Sequence, residues 1–125
     1  MVRTIETAEA PAAVGAYSQA TATDDLVFTA GQLPATPDGE LLDDAPISEQ
    51  TEQALDNVEA VLAEAGLTTS DVLKVNVFLD DIDDFEEMNT VYSGYFDEAP
   101  PARSAVGVDE LPKGVGVEIE AVASR

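Results

Sequence analysis

Val115-Gly116-Val117-Glu118-Ile119-Glu120-Ala121-Val122-Ala123 alternates apolar residues with small or charged ones, close to the end of a 125-residue chain. Successive side chains of a strand point to opposite faces. Val115, Val117, Ile119, Ala121 and Ala123 therefore share one face, and Gly116, Glu118, Glu120 and Val122 share the other. The first set is a core surface. The second mixes small, apolar and charged residues and is not a plain solvent face. It predicts burial against other subunits, with polar residues reserved for a site.

Ala102 to Val108 reads as the preceding strand, with Ala102 and Val106 toward the core and Arg103, Ala105 and Gly107 on the other face; Pro112-Lys113-Gly114 is a loop between the two strands. Upstream, Pro100-Pro101 ends a helix that Asp83 or Asp84 can cap, with Phe85, Met88, Val91, Tyr92 and Tyr95 or Phe96 as its inward stripe. Before it, Leu73, Val75, Val77 and Leu79 alternate with Lys74, Asn76 and Phe78, a strand with one apolar face. An earlier helix has Ser48 as its N-cap, acidic Glu49 and Glu52 in the first turn, and Ala54, Leu55, Val58, Val61, Leu62 and Ala65 at helical spacing before Gly66 closes it. Pro34 to Pro46 is rich in turns, Pro37-Asp38-Gly39 above all. Three strands come first: Arg3 to Glu6, Tyr17 to Thr23 and Leu26 to Gly31, with a loop over Ala8 to Gly15 and a tight turn at Asp24-Asp25. The order is β-β-β-α-β-α-β-β, an α+β layer of two helices on one face of a mixed sheet, in one domain over residues 1–125.

Composition narrows the chemistry. A hydrophobic content of 45% supports a core without a metal or disulfide staple. There is no cysteine and no histidine, so disulfides, thiolate nucleophiles and the commonest general base and metal ligand are excluded. Twenty-six acidic residues face Arg3, Lys74, Arg103, Lys113 and Arg125, a formal net charge of −21. Such a surface repels itself at low ionic strength, and molar salt, with a Debye length of about 3 Å, relieves the repulsion. The acidity reads as solvation for a salt-rich cytoplasm, against the plainer alternative of an ordinary acidic mesophilic protein. It also disfavours nucleic-acid binding, since almost nothing can neutralise phosphates. No signal-peptide pattern and no apolar run long enough to span a bilayer is present, so a soluble, cytoplasmic protein is expected, without a membrane partner.

Few residues remain for a site. Arg103, in Pro100-Pro101-Ala102-Arg103-Ser104-Ala105, lies far from other basic residues. Its guanidinium can hold a carboxylate through two parallel hydrogen bonds, a geometry lysine cannot reproduce; a structural ion pair is the competing reading. Glu118 can orient a water or act as a general base, against the ordinary role of a solvated charge. Tyr17 and Asn89 offer hydrogen bonds and a ring face, or plain packing and capping. Gly31, at a strand end, allows close backbone approach to a ligand, or marks a bulge. Asp80-Asp81 with Asp83-Asp84 lacks EF-hand spacing and a closing glutamate, so no metal site is read there.

The sequence resembles the RidA family (also YjgF or UK114) over nearly its whole length. Ala10-Pro11-Ala12-Ala13-Val14-Gly15-Ala16-Tyr17-Ser18-Gln19-Ala20 and Phe28-Thr29-Ala30-Gly31-Gln32-Leu33-Pro34 are similar to its N-terminal blocks. Asn57-Val58-Glu59-Ala60-Val61-Leu62, Val75-Asn76-Val77-Phe78-Leu79 and Asn89-Thr90-Val91-Tyr92 follow in order. Most specific are Pro100-Pro101-Ala102-Arg103-Ser104, Leu111-Pro112-Lys113-Gly114 and Val117-Glu118-Ile119-Glu120-Ala121. The resemblance implies a chorismate-mutase-like fold and a homotrimer with sites in clefts between subunits, in a haloarchaeal-like version of the family. It implies hydrolysis of reactive 2-imino acids, such as 2-iminobutyrate and 2-iminopropanoate, to 2-oxo acids and ammonia, with no cofactor. Arg103 would grip the substrate carboxylate and Glu118 would orient the attacking water. Tyr17 and Asn89 would line the cleft, and the Gly31 backbone would add hydrogen bonds. Ala30 stands where serine is common, Ala105 where many members have cysteine, and Ala16 where proline is frequent, which puts those side chains' roles in doubt here. Competing readings are a non-catalytic 2-oxo acid or amino-acid binding module, a chaperone-like holdase, and a ribonuclease or translation inhibitor.

Overall fold

The computed structural model describes residues 2–96 and 98–125. The element order is β1 (Arg3–Ile5), β2 (Ala20–Ala22), β3 (Leu26–Thr29), α1 (Ile47–Glu64), β4 (Val72–Leu79), α2 (Phe85–Tyr95), β5 (Ala102–Gly107) and β6 (Val117–Ser124), with short 3-10 turns at Thr69–Asp71, Ile82–Asp84 and Pro112–Gly114. This is the expected order. The strands form one six-stranded sheet, β1-β2-β3-β6-β4-β5. Only β4 and β5 run parallel, and α2 lies in the crossover between them, as parallel neighbours require.

Both helices cover one face of the sheet. Val27, Val75, Val77, Leu79, Val117, Ile119, Ala121 and Ala123 meet Ala54, Leu55, Val58, Val61 and Leu62 of α1 and Met88 and Tyr92 of α2 in one buried cluster. Each fully buried Val, Leu or Ile of this cluster adds roughly 1.5–3 kcal/mol. Val115 and the alternate residues of β6 are buried as the quoted stretch predicts.

Three local expectations change. Leu73 does not join the apolar face of β4; it is 51% exposed, because a bulge between Val72 and Lys74 in the β4–β6 pairing hands the buried position to Val72. Ser48 does not cap α1. The helix begins two residues earlier, at Ile47 behind Pro46, with no side-chain cap, and the Ser48 N–H donates to Glu87 of α2 at 3.0 Å. At the second helix, neither Asp83 nor Asp84 supplies a side-chain cap; Asp81 accepts from the Asp83 N–H at 2.9 Å and orders the 3-10 turn that leads in. The second and third strands are also shorter than the patterns suggest, so Tyr17 and Gly31 sit on the loops that flank them.

Candidate active site

Cross-strand register decides where the two principal candidates point, because paired residues project from the same side of a sheet. Glu118 pairs with Phe78 of β4, and Phe78 pairs with Val106 of β5. These belong to the face without helices, where Phe28 and Val106 are 47% and 45% exposed. Arg103 pairs with Val75, which pairs with the buried Ala121. Arg103 and Ala105 therefore turn toward the helices, while Ala102 and Val106 take the bare face. This reverses the sequence assignment for β5. Within one chain Arg103 and Glu118 lie on opposite faces of the sheet, with β4 between their strands.

Glu118 opens onto a cleft of about 800 Å³ whose lining includes Tyr17, Gly31, Gln32, Leu33, Pro37 and Lys113. Gly31 is what lets the carboxylate stand there. A Cβ at residue 31 would fall on Glu118 Oε2 and lie 2.8 Å from its Cδ. Burial, and then the neighbouring Glu120, push the Glu118 carboxyl above the ordinary carboxylate range. Glu120 itself accepts from the Asn76 side-chain amide at 3.1 Å. Tyr17, 55% exposed, presents its ring at the cleft.

Buried amides fix the walls. The Gln19 side chain accepts from the Thr7 N–H at 2.7 Å and donates to the Pro11 carbonyl at 2.7 Å, tying the N-terminal loop to β2. Asn57 of α1 donates to the carbonyls of Leu33 and Ala35 at 3.1 and 2.8 Å, and the Gln32 backbone bridges to Ile119. Thr36 Oγ1 bonds Asp38 and the Glu40 N–H, folding the Pro37-Asp38-Gly39 turn over the opening.

The Arg103 region is a separate notch of about 350 Å³, lined by Asn89, Tyr92, Ser93, Phe96, Pro100 and Pro101 together with Arg103. The guanidinium donates to Asn89 Oδ1 at 2.7 Å, and its carbon lies 4.6 Å from the Tyr92 ring centroid and 5.4 Å from that of Phe85. Among the described residues no carboxylate comes within 4 Å of it, and the one ion pair they form, Arg3–Asp24, lies elsewhere. An arginine shelved on two rings and anchored at one nitrogen, in a chain with 26 acids, keeps donors free for an anion.

The structure thus joins Asn89 to Arg103, and Tyr17 and Gly31 to Glu118, without joining the two groups. Sequence reasoning missed Tyr92 as the shelf for Arg103, Gln19 and Asn57 as wall supports, and Lys113 as a lining residue. Tyr92 reads simply as core in a helical stripe, and the partners of the two amides lie 8 to 24 residues away. Ala30 lines the Glu118 cleft, while Ala105 packs against the core beside β4. The described residues hold no group of three or more acids, histidines or cysteines placed for a metal ion, and no helix is long and apolar enough to cross a membrane.

The sequence profile of a family described as Endoribonuclease L-PSP matches residues 7–125. A RutC family protein of Pyrococcus abyssi is 47% identical over 121 residues, 97% of this chain and 95% of its own. TdcF of Escherichia coli, whose name places it provisionally among reactive intermediate deaminases, is 43% identical over 100% of this chain and 98% of its own. A crystal structure of TdcF with bound serine superposes with a TM-score of 0.93 over 98% of each chain. Yeast Mmf1 superposes with a TM-score of 0.97 at 41% identity, covering 100% of this chain and 99% of that one.

Proposed function

The chain belongs to the RidA family, the group whose sequence profile bears the Endoribonuclease L-PSP description, and from that premise we infer that it hydrolyses reactive 2-imino acids to 2-oxo acids and ammonia. Deamination of reactive intermediates is the activity its relatives' names support. The finer reading, 2-iminobutyrate and 2-iminopropanoate as substrates, rests on one observation above others: the Arg103 guanidinium carries no carboxylate partner among the described residues although the chain holds 26 acids. Arg103 binds the substrate carboxylate through its free nitrogens, with Asn89 fixing its orientation.

Glu118 accepts a proton from a water as that water's oxygen attacks C2 of the imine. Glu118 returns that proton to the imine nitrogen, and the carbinolamine collapses to the 2-oxo acid as its hydroxyl proton passes by way of Glu118 to the departing ammonia. A carboxyl held above its ordinary range by burial is a stronger base for this proton than an exposed one. Tyr17 packs on the substrate and the Gly31 backbone hydrogen-bonds to it. The chemistry calls for no cofactor, because a protonated imine is already electrophilic and positioning supplies most of what remains.

Arg103 and Glu118 serve one site only if they come from two copies of the chain, since each faces away from the other within one. The reading therefore includes a homotrimer with sites between subunits, each subunit a single domain of residues 1–125. Exposed Phe28 and Val106 on the bare sheet face support such packing. A cytoplasmic setting rich in salt is part of the same reading, from the charge of −21. The family's descriptive name favours RNA cleavage as a second reading. Neither region offers histidine, and the net charge opposes binding to phosphates.

The test is 2-oxobutyrate formation from freshly generated 2-iminobutyrate in molar KCl, with semicarbazide competing for the imine. The wild type suppresses semicarbazone and Arg103→Ala does not. Unchanged semicarbazone with folded wild-type protein would move the reading to a binding module. Equal suppression by both proteins would remove Arg103 from its role.

A further inference from the structure

Lys113 has no role in the reaction just described, yet three observations single it out. It is the only described non-glycine residue with positive φ, at φ 58° and ψ 19°, where a side chain crowds its own carbonyl. The 3-10 turn Pro112–Gly114 holds it there, with Gly114 following at φ 72°. It lines the Glu118 cleft, where the other charged lining residues are Asp38 and Glu118, both negative. And its ammonium lies within 4 Å of no carboxylate among the described residues, in a chain with five cations and 26 acids. Strain at a cleft mouth is a reason to look for function.

The physical difficulty facing this protein is plain. A surface of net charge −21 repels the monoanionic substrate its deaminase reading requires. Local cations in a low-dielectric recess counter that repulsion by focusing field lines where the anion must enter. Arg103 faces the opposite side of the sheet from this cleft in its own chain. Lys113 is the cation the cleft itself carries.

We propose that Lys113 is a binding residue for the anionic substrate, held in the left-handed region so that its ammonium draws a small carboxylate into the Glu118 cleft. This rests on the reading of the cleft as a 2-imino acid site. A flexible point charge of this kind acts on ground state and transition state alike, so it sets KM and leaves kcat in place. Arg103, by contrast, orients the reacting carbon and acts on both.

Lys113→Asn is the informative variant. Asparagine tolerates positive φ better than lysine, so the turn folds at least as well without the charge. At the lowest KCl concentration that preserves the native circular dichroism, Lys113→Asn raises KM for 2-iminobutyrate by about three- to tenfold with kcat within about twofold, and 3 M KCl compresses the difference. Lys113→Arg restores KM. Calorimetric titration with 2-oxobutyrate, a stable anion, shows the same rise in Kd, while its uncharged amide binds both proteins equally. Unchanged Kd and KM in Lys113→Asn would overturn the proposal, as would a fall in kcat at constant KM. A variant that loses oligomer stability but binds 2-oxobutyrate normally would assign Lys113 to a subunit contact instead, and also overturn it. Absence of turnover by the wild type, with anion binding still dependent on Lys113, would remove the deaminase reading and leave this one standing.

Discussion

The two halves of the candidate site are built on opposite principles. Around Glu118 the protein uses loops pinned by buried amides, a missing side chain at Gly31 and a desolvated carboxylate, in a roomy cleft on the bare sheet face. Around Arg103 it uses secondary structure alone: a β5 side chain laid across Phe85 and Tyr92 and fixed by Asn89 on α2. On the proposed reading the first half receives the ligand and supplies the proton acceptor. The second holds a permanent cation rigid with its free donors outward. Separation by the sheet keeps these two charges from neutralising each other inside one subunit.

That contrast can be broken at several points. Apart from removal of Arg103 or Glu118 themselves, the largest effect is expected at Gly31. Gly31→Ala puts a methyl onto the Glu118 carboxylate, whose displacement by even an ångström should cost about 10²-fold in kcat/KM. Steady-state kinetics checks this, and a variant within a few-fold of wild type would show that the carboxylate's position is not critical.

A smaller effect follows from the raised pKa of Glu118. A general base works only when deprotonated, so the acid limb of the kcat/KM–pH profile lies above the ordinary carboxylate range. For stability the sign is as follows. A folded-state pKa above the unfolded one gives a contribution that is full below the unfolded value and lost as pH rises through the folded value. Glu118→Gln should therefore raise Tm at neutral pH relative to acid pH. Equal Tm differences at both would contradict the desolvation argument.

The smallest effect is at Tyr92. Among the described residues its buried hydroxyl finds no hydrogen-bond partner, and burial raises its pKa against a smaller lowering by the nearby Arg103. Tyr92→Phe keeps the ring under Arg103 and removes an unsatisfied group, so activity should stay near wild type and stability rise by about 1 kcal/mol. Denaturant titration with parallel kinetics tests both halves. A large loss of activity would mean that the hydroxyl, not the ring, serves the site.

Much of this architecture is legible in the sequence. The element order, the buried alternation of β6 and the helix closing at Gly66 (φ 79°) all follow from local patterns. What fails is long-range. Alternation along β5 separates Arg103 and Ala105 from Ala102 and Val106, but it does not say which set is inside. Val106, the largest apolar residue there, argues for the wrong one. The answer lies in pairing with β4, whose own phase is shifted at Leu73 by a bulge no local pattern announces. At the start of α1, likewise, the Ser48 N–H finds its partner in Glu87, 39 residues away. The site residues themselves came mostly from family resemblance. Their division between two faces came only from register.

The central claim is that one active site takes Arg103 from one subunit and Glu118 from another. Arg103→Ala and Glu118→Gln proteins, each expected to be inactive alone, can be unfolded together in equal amounts and refolded as mixed oligomers. Random assembly places an intact arginine beside an intact glutamate at roughly a quarter of the interfaces. The account predicts that about that fraction of wild-type deaminase activity returns, and that mixing without subunit exchange restores none. Mixed oligomers that form but stay inactive would contradict it.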